Sequence, residues 1–107
     1  MQPETPAARV APGDLVVHTR SGYRGGVVDV DPIFSGTEQW YEEGARSRPP
    51  KDAPWYHVLV HDAEHATYAA ERHLLAEPEP RPIDHPLLGH FFDHFRDGRY
   101  GQDRPLN

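Results

Sequence analysis

Twelve prolines are spread unevenly along this 107-residue chain, and their placement limits the fold more than any other feature. Most fall in three clusters, at residues 3–12, 49–54 and 78–86. Proline fixes φ near −65° and donates no backbone hydrogen bond, so each cluster reads as tail, loop or linker. That leaves roughly 65 residues, 13–76, for a compact region. A domain of that size buries only about 60% of the surface its unfolded chain exposes. The core therefore needs support from the apolar C-terminal stretch or from self-association.

Within residues 13–76, short β-patterns alternate with turn signals. "GDLVVHTR" (Gly13 to Arg20) reads as a strand, with Leu15 and Val17 on one side and Val16 and His18 on the other. Gly22, Gly25 and Gly26 in "SGYRGG" suit a tight turn. Val27 to Asp31 follows as a strand with Val28 and Val30 inward, Asp29 and Asp31 in solvent, and Pro32 ending it. "SGTEQWYEEGARS" carries a helix start, with Ser35 or Thr37 as cap, and Gly44 stops it after about two turns. The stretch "RSRPPKDAPWYHVLV" then delivers the strongest strand, Trp55 to Asp62. Tyr56, Val58 and Val60 share one of its faces; Trp55, His57, Leu59 and His61 share the other. A turn at 62–65, a return strand at about 66–70 and a short strand near 73–76 complete the region. The pattern predicts a mainly β fold, a small closed or nearly closed barrel of four to five strands with a short helix in its long loop.

Flanking it are an arm at 1–12, a proline-rich linker at 77–85, an amphipathic helix at 86–97 and a loose tail at 98–107. Leu87, Leu88, Phe91, Phe92 and Phe95 fall on one face of that helix, either packed on the barrel or offered to a partner's groove.

Several function classes lose support. No cysteine is present, which excludes disulfides, thiolate zinc sites and a cysteine nucleophile. No apolar run approaches a membrane span and the N-terminus lacks a signal-peptide core, so a soluble, cytoplasmic protein is expected. The two histidines of "HDAEH" (His61 to His65) fall on a turn, where they cannot share a helix face as metalloprotease ligands do. His90 and His94 are spaced to share a face of the predicted helix but read as solvent-edge residues, so no metal or cofactor is expected. Asp29 with Asp31, and Glu42 with Glu43, read as solvated charge. Ser35, Thr37 and His57 form no nucleophile arrangement, and "GYRGG" lacks the lysine and helix of a phosphate loop.

The basic and aromatic residues make a different pattern. Arg20, Tyr23 and Arg24 sit around the first turn; Arg46, Arg48 and Lys51 precede Trp55. Brought to one rim, they would form a positive patch with aromatic platforms, the means by which small barrels bind nucleic acid. Dispersed, they are ordinary solvated charges on a chain of net charge −6.

The runs "GYRGGVV", "DP", "PWYHVLV" and "TYAAE", within residues 13–76, resemble the HspQ family of bacterial heat shock proteins, also called YccV-like or hemimethylated-DNA-binding. The resemblance implies an SH3-like β-barrel without enzymatic activity. It implies binding to hemimethylated DNA near the replication origin, with effects on the initiator DnaA. It also implies an adaptor role in stress-related proteolysis, with the Lon protease and its substrates as partners; this is the leading reading, and regulation of replication initiation through DNA binding is the alternative. A homo-oligomer is implied as well, a trimer being one state it allows. It carries over no set of binding residues.

Overall fold

A computed structural model describes residues 8–45 and 47–103. Five strands form one antiparallel sheet: β1 (Leu15–His18), β2 (Arg24–Asp31), β3 (Trp55–Val60), β4 (Ala66–Ala70) and β5 (Leu74–Ala76), in the order β4-β3-β2-β1-β5. Helix α1 (Glu38–Gly44) lies in the β2–β3 connection, capped by the Thr37 hydroxyl, which accepts from the Trp40 amide. A 3-10 turn, Glu71–His73, joins β4 to β5. The fold is mainly β, as predicted. Among the described residues no ladder joins β4 to β5, so the sheet is open by hydrogen bonding.

Both faces of the sheet are buried over much of its area, which a chain this short achieves by covering them with its own ends. Val16, Val27, Tyr56, Val58, Ala69 and Leu74 converge on one cluster, joined by Val10 from the N-terminal arm. Each of the five strands contributes to it. Leu15 and Leu59 point to the opposite cluster, with Ile83 and Tyr100. A third cluster sets Trp55 and Ala70 against Tyr41 and Ala45 at the end of α1.

β2 departs from simple alternation. Its pairing with β3 runs Val27↔Val58, then Asp29↔His57, so Val28 is an extra residue with no partner. A bulge of this kind shifts every later side chain to the other face. Val27 and Val30 therefore share the first cluster, while Val28 packs on the second, contrary to the predicted pairing of Val28 with Val30. Of the predicted turn glycines only Gly22 has positive φ. Gly25 and Gly26 lie in β2, and Gly25 is needed for close approach, since a Cβ there would sit 2.4 Å from Val58 Cγ1 and 2.6 Å from the Leu59 carbonyl oxygen.

The flanks differ most from expectation. The predicted helix at 86–97 is reduced to α2 (Leu88–Phe91), followed by a hairpin of β6 (His94–Arg96) and β7 (Arg99–Gly101). The reason is local: Asp97 and Gly98 both adopt positive φ, 53° and 80°, the two-residue Asp-Gly loop that closes tight hairpins. Residues 99–101, read as loose tail, are thus a strand, and the Tyr100 amide donates to the Gly13 carbonyl at 2.9 Å. The proline-rich segment is docked too, with Ile83 and His85 buried. Part of the arm is likewise held: the Arg9 amide donates to Glu71 Oε1 at 2.8 Å. Among the described residues no helix is long and apolar enough to cross a membrane.

Candidate functional site

The predicted rim patch does not assemble as a cationic surface. Arg24 is spent on Glu77, with Nε–Oε2 at 2.6 Å, and on the Arg81 carbonyl. Burial pushes the Glu77 carboxyl up, but the hydrogen bond and charge of Arg24 outweigh it and leave it below its usual range. Arg48 pairs with Glu42 at 2.8 Å and Lys51 with Glu38 at 2.6 Å, both beside the Tyr41 ring. Trp55 is only 2% exposed and donates its indole N–H to the Pro50 carbonyl, so it is core rather than platform. Tyr23 is half-buried, stacked on His18 at 4.9 Å and bonded to Thr67. Arg46 lies outside the described residues.

Arg20 alone of the set is exposed and without a carboxylate partner among the described residues. It borders a hollow of about 230 Å³ between the β1–β2 turn and the end of α1. Ala69 and Ala70 of β4, with Trp55, provide buried lining; His18, His73, Trp40 and Tyr68 line it as well. The hollow continues past Tyr23 and Thr67, and among the described residues no aspartate or glutamate lines either part. Burial, then His73 and Arg20, holds the His18 imidazole below its ordinary pKa. Burial, then Arg72 and Arg20, does the same to His73. Arg72, also exposed, donates to the Ser47 carbonyl, and the Ser47 hydroxyl meets His73 Nε2 at 2.8 Å. On a chain with 17 acidic residues and 11 lysines and arginines, this groove carries Arg20 on its rim and no described aspartate or glutamate in its lining, Asp31 lying behind Tyr68 and His57.

The model of the family described as hemimethylated DNA-binding protein YccV like matches residues 9–99. The chain belongs to the YccV-like family.

In this YccV-like chain the outstanding aromatic is Trp40, which the sequence reading left unassigned. It lines the groove and the hollow on the other side of Tyr68, with 39% of its surface exposed. The signal was present: on so short a helix Tyr41 and Trp40 cannot both face the core, and Tyr41 takes that position. His18, Ser47, Tyr68 and His73 were missed because their convergence needs β1, β4 and two loops to meet.

Next to the groove, the β2–β3–β4 register lines up Asp29, His57 and Tyr68. Tyr68 donates to Asp31 Oδ2 at 2.7 Å, and His57 Nε2 approaches the same oxygen at 3.1 Å. The Tyr68 hydrogen bond holds the Asp31 carboxyl below its usual range, while burial and Asp31 push the Tyr68 phenol up to about 12. Asp29, Asp31 and His57 offer donor atoms within 4.8 Å of one another, a spacing a divalent cation accepts. Asp31 is thus half-buried and bonded rather than free in solvent.

The proposed docking face resolves differently. Leu88, Phe91, Phe92 and Phe95 pack against Leu15, Leu59, Ile83 and Tyr100; Leu87 remains exposed. His94 lies on β6, so His90 and His94 do not share a helical face.

Proposed function

We propose that this chain is a cytoplasmic, non-enzymatic binding module that contacts DNA through the acid-free groove, its target being the hemimethylated DNA of its family's description. The observation that carries this reading is the groove itself. A net charge of −6 repels a duplex from most of the surface, so binding needs a local strip without carboxylates. Arg20 supplies a cation there, Arg72 a second one beside it through its bond to the Ser47 carbonyl, and Trp40 a stacking face. The convergence of all five strands on one cluster supports the SH3-like curl implied by the family resemblance.

Fluorescence anisotropy with hemimethylated and fully methylated duplexes, at two salt concentrations, tests the proposal. Two phosphate contacts give a log–log salt slope of about −2. Arg20→Ala with Arg72→Ala should flatten it, and absence of binding at low salt would overturn the reading.

A second reading, an adaptor that modulates Lon-dependent degradation, is favoured by the pairing of Arg24, Arg48 and Lys51, which leaves few cations for phosphate. A reconstituted degradation assay tests it, with an unchanged substrate turnover rate as the negative. Self-association, a trimer included, is supported by exposed Ile33 and Leu75 and tested by sedimentation.

A further inference from the structure

We propose that the hollow beside Trp40 accommodates a single nucleobase turned out of the duplex; this rests on the DNA-binding reading above. Its recessed end measures about 230 Å³, room for one heterocycle, and it opens past Tyr23 and Thr67 into a wider part of about 530 Å³ that leaves space for the flanking backbone. Its lining has two characters. Trp40 and Tyr68 rings lie 5.6 Å apart in an edge-on pair, and His18 and His73 rings lie 5.4 Å apart. Behind them Ala69 and Ala70 keep the lining shallow where larger side chains would fill it.

Stacked bases in a duplex present only their edges to the grooves, and these are read by protruding side chains. A recessed space lined by rings recognises the faces of a base, which become accessible only on extrusion. The polar groups suit that occupant. The Ser47 hydroxyl and His73 Nε2 share a hydrogen bond at 2.8 Å, which occupies Nε2 and leaves the hydroxyl to accept from a base edge, or to donate to it when Nε2 carries the proton. Arg20 lines the hollow and Arg72, bonded to the carbonyl of the lining residue Ser47, flanks it; among the described residues neither pairs with a carboxylate, so both can meet phosphate. A phosphate alone would need the arginines but not the aromatic recess.

Extrusion costs least for a base that is already unpaired, so mismatches report it. The test uses the full chain and a hemimethylated duplex carrying 2-aminopurine beside or opposite the methylated base. Binding should raise the 2-aminopurine emission several-fold, and a mismatch at the extruded position should tighten binding roughly tenfold. Trp40→Ala should lose both effects, and Trp40→Phe should retain them. Circular dichroism on each variant checks that it is folded, as the exposure of Trp40 leads us to expect. Salt-dependent binding with flat emission and no mismatch preference would overturn base capture while leaving the DNA reading intact. No binding of any duplex would overturn both.

Discussion

Tyr100 tests whether the C-terminal hairpin is an integral part of the fold. It is 7% exposed, its ring lies 5.3 Å from Phe92 and 4.9 Å from Phe95, and its hydroxyl accepts from the Ile83 amide at 2.9 Å. Tyr100→Phe keeps the ring but leaves that buried amide without its partner, at a cost of about 1–3 kcal/mol. Tyr100→Ala also empties the space between the hairpin and Leu15, Leu59 and Ile83. Large aromatic truncations of this kind cost about 3–5 kcal/mol, a large share of a typical total of about 5–15. Urea unfolding followed by tryptophan fluorescence reads both: with a slope of about 1–3 kcal/mol per molar, each midpoint shift converts directly to free energy. Leu87→Ala, at a position 47% exposed, is the control and should stay within about 0.5 kcal/mol. If Tyr100→Ala shifts the midpoint no more than this control, the hairpin is not packed on the sheet and the second core is wrong. If Tyr100→Phe alone is neutral, the packing stands but the hydrogen bond contributes nothing.

Val58→Asp places an unpaired carboxylate in the first cluster and should leave the chain unfolded by circular dichroism; a folded variant would refute the β3 register. Arg24→Ala uncovers Glu77, whose remaining partner is Arg81, and should cost about 1–3 kcal/mol in thermal unfolding, with DNA affinity unchanged. Arg48→Ala and Lys51→Ala, in surface pairs, should leave both melting and DNA affinity unchanged. His18 and His73 have folded pKa values below the unfolded imidazole's. Their contribution to stability is therefore full above a pH of about 6.5 and is lost as pH falls through the lowered values. DNA phosphate favours the imidazolium, so duplex affinity should rise as pH falls below about 6.5 toward the lowered values, and a profile that stays flat there in anisotropy would count against groove contact.

Local chemistry carried most of the central sheet. Alternation in "PWYHVLV", the Thr37 cap and the breakers around each strand act over a few residues, so β3, β4 and α1 were legible in the linear chain. The C-terminal helix was misread because the apolar spacing of Leu88, Phe91, Phe92 and Phe95 suits both a helix and a hairpin lying on one surface. Asp97-Gly98 was the deciding local signal. Likewise no window of sequence shows that Val28 is a bulge, because the extra residue is defined only by its pairing with β3.

Charge had a similar limit. The sequence by itself determined that the chain is acidic, lacks cysteine and has arginines near two turns. Which of those arginines are available was decided by tertiary structure, since each candidate's partner lies far along the chain or across a loop: Glu77 for Arg24, Glu38 for Lys51. The groove has the same origin. His18, Trp40, Tyr68 and His73 belong to four different segments, and only the closure of long loops sets their rings within about 6 Å of one another in pairs. Coulomb energy and ring stacking depend on distance in space, and sequence records only distance along the chain.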